Sequence, residues 1–164
     1  MDENILSAAL AFEKEGVALY LGLEKKAAGD LAKRLFQSLE KQEKDHISYI
    51  TSYTKSKKFK PMEYIPLEDA LKKIYAKIKP DEQKKTVTDL EGYELSLKLE
   101  SKGYALYKGA FNRAENAEDK QFFEFLMRME QEHYEALANV YYYLTNNAQW
   151  LSENESRTWS WMDL

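Results

Sequence analysis

The sequence contains no cysteine. That excludes a disulfide scaffold, a cysteine nucleophile, an iron–sulfur cluster and every thiolate zinc site. Proline and glycine are scarce, with three Pro and six Gly among 164 residues, so long uninterrupted helices are favoured over turn-rich β structure. No stretch approaches the 18 or more apolar residues of a membrane span, and no membrane association is expected. The N-terminal MDENILSAALAFEKEG lacks the basic and apolar regions of a signal peptide, so a cytoplasmic location is expected. An excess of positive charge is missing too: the net charge is −4, which argues against nucleic acid as a partner. The one basic cluster, Lys55, Lys57, Lys58 and Lys60, reads as a solvated helix end.

What the chain does have is helical periodicity. Ile5, Ala9, Phe12, Gly16, Leu19 and Leu23 recur at spacings of three and four, as on the apolar face of a helix. After a turn at Ala28-Gly29-Asp30, a second helix carries Leu31, Leu35, Phe36, Leu39, His46, Ile47 and Ile50 on one face. The three prolines, Pro61, Pro66 and Pro80, lie in a connector over about 57–85, whose one short helix contains Leu67, Ala70, Leu71, Ile74, Tyr75 and Ile78. A third helix, capped by Thr86, Thr88 or Asp89, presents Tyr93, Leu97, Gly103, Tyr104, Tyr107 and Phe111. After a turn near Asn116, a fourth carries Phe122, Phe123, Leu126, His133, Leu137, Val140 and Tyr141. Hairpins over about 3–56 and 86–145 thus make an all-α four-helix bundle over 1–145. The tail, 146–164, holds all three tryptophans, Trp150, Trp159 and Trp161, and is expected to dock on the bundle or on a second subunit.

The two hairpins are copies of one plan. An offset of 87 residues brings EKEGVALY at Glu13–Tyr20 onto ESKGYALY at Glu100–Tyr107, and Phe36, Leu39, Glu43 and His46 onto Phe123, Leu126, Glu130 and His133. Gly16 and Gly22 fall on Gly103 and Gly109. A glycine inside a helix costs about 1 kcal/mol relative to alanine, so the pairing points to close helix approach. Two such hairpins imply pseudo-twofold symmetry and one long crossover.

Both histidines of the chain stand in Glu-x-x-His, as Glu43…His46 and Glu130…His133. Residues three apart share a helix face, and here that face is the apolar one. Glu13 and Glu100 interrupt the apolar stripes of the first and third helices in the same way. Glu13 lies about 16 residues before the first turn and Glu43 about 14 after it. At 1.5 Å per residue, both stand roughly 20–24 Å from the turn. Antiparallel packing therefore sets them level, and the second hairpin does the same for Glu100 and Glu130. Four unpaired carboxylates buried together would repel and protonate. Two divalent cations balance their charge, and oxygen and imidazole donors without thiolate suit iron or manganese. Glu from each of two helices with Glu-x-x-His from each of the other two is the ligand pattern of dinuclear carboxylate bundles. Tyr20 and Tyr107, two turns beyond Glu13 and Glu100, are candidates either for hydrogen-bonding a ligand carboxylate or for plain core packing. Tyr104 is read as core.

At AFEKEGVALY with LFQSLEKQEKDH, and KLESKGYALY with FFEFLMRMEQEH, the chain resembles the rubrerythrin-like branch of the ferritin-like superfamily over about residues 5–145. The resemblance implies a ferritin-like bundle, often a homodimer, with two iron ions ligated by Glu13, Glu43, His46, Glu100, Glu130 and His133, and reduction of hydrogen peroxide or dioxygen. Those six residues would act catalytically through the metals. Two departures stand out. Rubrerythrins proper carry a Cys₄ rubredoxin-type domain. This chain has no Cys, so an external electron donor such as a separate rubredoxin is expected. Rubrerythrins also have an additional Glu one turn after the third-helix ligand, where this chain has Gly103. That tells against efficient peroxidase activity and brings the six residues closer to a ferroxidase centre.

The favoured expectation is a non-haem di-iron oxidoreductase of peroxide or dioxygen. The alternatives are a ferroxidase for iron handling, a di-manganese catalase-like enzyme, and a non-catalytic, metal-stabilised interaction module contacting partners through the Trp-rich tail.

Overall fold

The structure, a computed structural model, describes residues 3–76 and 87–145. The tail at 146–164, with its three tryptophans, and Ile78, Pro80 and Thr86 lie outside the described residues. Among the described residues five helices follow one another: α1 (Glu3–Lys26), α2 (Asp30–Ser56), α3 (Leu67–Tyr75), α4 (Val87–Arg113) and α5 (Ala117–Thr145). Among the described residues there is no strand, and no helix is long and apolar enough to cross a membrane. The described residues thus form an all-α bundle.

Packing pairs α1 with α2 and α4 with α5, and α1 lies against α4 across the two hairpins. The short α3 sits on α2 and α5. The connector before it is held to α5 by polar tips on aromatic bodies. Phe59 N donates to Glu118 Oε2 at 2.5 Å, and the Tyr64 hydroxyl donates to both oxygens of Glu132 at 2.8 and 2.9 Å. The Phe59 and Tyr64 rings both meet Phe125 edge-on.

Each hairpin turn is closed from the other hairpin. The α1–α2 turn has Gly29 as an extended N-cap with no side-chain cap of its own. Instead, Ala28 N and Gly29 N each donate to the Asp89 carboxylate at 3.0 Å. Asp89 thus closes a turn of the other hairpin. It sits inside the first turn of α4, buried, where it satisfies donors left over at the start of α2. At the α4–α5 turn, Asn116 accepts from Asp119 N at 2.8 Å, an ordinary side-chain N-cap. Asp119 in turn receives the Tyr53 hydroxyl from α2 at 2.5 Å. The other end of α2 closes on Lys57 in the left-handed conformation, its N–H on Tyr53 O, and Lys55, Lys57, Lys58 and Lys60 are exposed there.

The buried face of α1 is turned slightly from the one its apolar residues suggest. Leu6, Ala9, Glu13, Gly16, Tyr20 and Leu23 are buried, while Ile5, Phe12 and Leu19 are half-buried on its flank. Polar residues hold the centre of the face, so the apolar pattern alone misplaces it. Ile47, Leu97, Phe111 and Tyr141 are likewise half-buried. Tyr104 is also only half-buried. Its ring faces Lys108, whose Nζ is 5.5 Å from the centroid, so it is not core.

Among the described residues the apolar interior forms two clusters rather than one. The first contains Leu23, Leu31, Leu35, Phe36, Leu39 and Leu137. The second contains Leu6, Ile50, Tyr53, Phe122, Phe123 and Leu126. Apolar packing on both sides excludes water from whatever lies between them.

Candidate metal centre

Between the two clusters lie six ionisable side chains from four helices: Glu13 on α1, Glu43 and His46 on α2, Glu100 on α4, and Glu130 and His133 on α5. None is more than 1% exposed. Heights set by residue count within each hairpin bring Glu13 level with Glu43 and Glu100 level with Glu130, and the α1–α4 contact joins the two pairs.

The donor atoms converge. His46 Nδ1 is 3.1 Å from Glu13 Oε2, 3.4 Å from Glu130 Oε1 and 3.7 Å from Glu43 Oε2. His133 Nδ1 is 3.2 Å from Glu100 Oε2 and 3.5 Å from Glu43 Oε1. The two imidazoles stack, with centroids 5.3 Å apart and planes 10° from parallel. Two sets of atoms lie within 4.8 Å of one another: Glu13, Glu43, His46 and Glu130 in one, and Glu43, Glu100 and His133 in the other. Glu43 belongs to both, one oxygen facing each histidine.

Without metal, buried protons rather than a Lys or Arg offset the carboxylate charges. Among the described residues, no Lys or Arg pairs with any of the four glutamates. Burial, reinforced by the Glu43 charge, pushes the Glu13 carboxyl up to about 8. Burial and the charges of Glu13 and Glu100 raise Glu130 well above the usual carboxylate range. Burial alone would raise Glu43 as well, but the neighbouring Glu13 carboxyl and the His133 and His46 imidazoles hold it well below that range. For the imidazoles, burial disfavours the charged form, yet the neighbouring carboxylates win. His46 is raised well above its ordinary value by Glu13, and His133 to about 10 by Glu100. Glu43 Oε1, Glu130 Oε1 and His46 Nε2 are buried without a hydrogen-bond partner. Buried orphans of this kind are costly. Carboxylate oxygens and imidazole nitrogens in that state fit a pair of divalent cations.

The tyrosines cross between hairpins. Tyr20 on α1 donates its hydroxyl to Glu100 on α4, and Tyr107 on α4 donates to Glu13 on α1. Burial, with Glu100 and Glu13 adding to it, raises both phenols well above their ordinary value. They stay protonated and remain donors. Both are thus buried hydrogen-bond donors to the cluster.

Two of the repeated glycines have a packing reason and two do not. A Cβ at Gly103 would overlap the Glu130 carboxylate, and one at Gly16 would stand 3.1 Å from Glu43 Oε2. At Gly22 nothing lies within 4 Å, and at Gly109 only Arg113 atoms at 3.9 Å. Close approach therefore accounts for Gly16 and Gly103 alone, and it is approach of a glutamate side chain rather than of a helix backbone.

One contact had no signal in the sequence. Gln42 Oε1 is 2.8 Å from His133 Nε2. Gln42 and Met129, the residues immediately before Glu43 and Glu130, also line a cavity of about 560 Å³ beneath the connector, with Lys41, Met62, Tyr64 and Lys73.

Compared with known proteins, residues 4–141 match the family described as Rubrerythrin. Neither a curated protein nor a solved structure matches the chain.

Proposed function

The chain belongs to the rubrerythrin family, and from that premise we propose that it is a di-iron oxidoreductase. In this reading it reduces hydrogen peroxide or dioxygen with electrons from an external donor. The observation that supports it best is the convergence of Glu13, Glu43, His46, Glu100, Glu130 and His133 in a buried layer, with no Lys or Arg partner among the described residues. These six residues would hold two iron ions, with Glu43 reaching both. The chemistry that two bound iron ions supply is reduction of an O–O bond, one electron from each, with Lewis-acid stabilisation of the products.

The protein's own groups prepare that site. Tyr20 and Tyr107 hold the Glu100 and Glu13 carboxylates in orientation from across the bundle. The flanking apolar clusters keep the dielectric low, which strengthens every charge interaction in the layer. The cavity lined by Gln42 and Met129 lies one residue from Glu43 and Glu130 along their helices, on the connector side. In this reading the electrons come from a separate donor.

Stopped-flow mixing of reduced, iron-loaded protein with peroxide tests this reading. Oxidation faster than that of free Fe(II) is expected, and oxidation no faster would overturn it.

A ferroxidase reading is favoured by one observation, the volume at Gly103. A Cβ there already overlaps the Glu130 carboxylate, so the layer has no room at that position for a further carboxylate. Size exclusion separates the readings. A homodimer fits the oxidoreductase, and a hollow particle of many subunits fits iron storage.

A further inference from the structure

The two histidines are related by the repeat, yet their outer nitrogens differ. His133 Nε2 is 2.8 Å from Gln42 Oε1, while His46 Nε2 is buried with no hydrogen-bond partner. The repeat explains the difference. The offset that carries His46 onto His133 carries Gln42 onto Met129. Gln42 thus reaches from α2 to the histidine of α5. The residue at the equivalent place on α5 is a buried thioether, a weak acceptor at best.

We infer that Gln42 is a positioning residue that makes the two halves of the metal centre unequal. An amide oxygen only accepts, so the Gln42–His133 bond places the hydrogen on Nε2 of the imidazole. Nδ1, the nitrogen turned toward Glu43 and Glu100, is then the one that gives up its proton to a metal. The same bond fixes the ring plane. A hydrogen-bonded outer nitrogen orients a ligating imidazole and raises its basicity, and loss of such a partner typically costs 10–100-fold in metal affinity. His46 has neither aid. The half built on Glu43, Glu100 and His133 therefore binds its ion more tightly and fills first, and the half built on Glu13, His46 and Glu130 fills second. Gln42 is half-buried, which allows its replacement without opening the core.

The inference rests on the reading that these residues hold two metal ions. Co(II), added to the metal-free full-length chain and followed by its d–d absorption, tests the two separately. The wild type is expected to take up two ions in two resolved steps. No uptake at all would remove the metal reading itself. Given two steps, Gln42→Leu is expected to weaken the first by about 10–100-fold and leave the second unchanged. Gln42→Glu, whose carboxylate accepts the same hydrogen bond, is expected to restore it. Met129→Gln, which offers His46 an acceptor, is expected to tighten the second step. Melting of each metal-free variant shows whether it folds. The inference is overturned if Gln42→Leu folds and leaves both steps as in the wild type. It is equally overturned if the Leu and Glu variants weaken the first step alike, since only the helix or the packing would then be at work.

Discussion

Gly103 on α4 and Glu130 on α5 pack so closely that a Cβ on the glycine would overlap the carboxylate and stand 2.8 Å from the Phe12 ring. A helix-interior glycine gives up stability, and here the space it leaves is filled by a buried glutamate. Gly103→Ala is expected to cost about 1–3 kcal/mol by overpacking and to lower metal content, as read by thermal melting and elemental analysis. Gly109→Ala, where only Arg113 atoms lie at 3.9 Å, is expected to do the opposite and stabilise by up to ~1 kcal/mol. Equal effects at both positions would contradict this account.

The reciprocal tyrosine bonds join the hairpins at the level of the cluster. Tyr20→Phe frees Glu100, and Tyr107→Phe frees Glu13. Each is expected to lower affinity for Fe(II) or Co(II) by about 10–100-fold with little change in helical content. Unchanged affinity in both would reduce these residues to core tyrosines.

Glu43 faces both histidines, whereas Glu100 faces only His133. Glu43→Gln is expected to abolish binding of both ions. Glu100→Gln is expected to leave about one per chain, counted by elemental analysis after anaerobic loading. Retention of two ions by Glu43→Gln would show that it is not shared.

The buried protons give the metal-free protein a definite pH dependence. Glu13 has its carboxyl raised to about 8 and His133 its imidazole to about 10, and both bind protons more tightly folded than unfolded. Stability is then greatest at low pH and is lost as pH rises, from about 4.5 through 8 for the one and from about 6.5 through 10 for the other. Glu43, held low, acts oppositely, and its contribution is lost on acidification below the ordinary carboxylate range. The melting temperature of the metal-free chain is expected to fall between pH 6 and 9. Metal must displace those protons, so loading is expected to release protons and to weaken as pH falls. A melting temperature that rises over that range would refute the assignment, and calorimetry in two buffers of different ionisation enthalpy counts the protons.

Asp89 serves a turn rather than the metal. Asp89→Ala leaves Ala28 N and Gly29 N without their acceptor and is expected to cost about 1–3 kcal/mol with metal content unchanged. A loss of metal without a loss of stability would give Asp89 a different role.

Much of this was legible in the sequence because α-helical geometry is local. The 3.6-residue period placed Glu43 and His46 on one face, residue counts from a short turn set Glu13 level with Glu43, and the 87-residue offset repeated the arrangement at Glu100, Glu130 and His133. Relations between the hairpins were not legible, since neither period nor offset says how two hairpins rotate against each other. The tertiary structure alone assigned Tyr20 to Glu100 and Tyr107 to Glu13, sent Asp89 to a turn 60 residues away, and set Gln42 against His133 while leaving His46 Nε2 without a partner. Repetition in sequence encodes near-symmetry. The differences that break it, Gln42 against Met129 foremost, acquire meaning only when long-range packing brings α2 and α5 together.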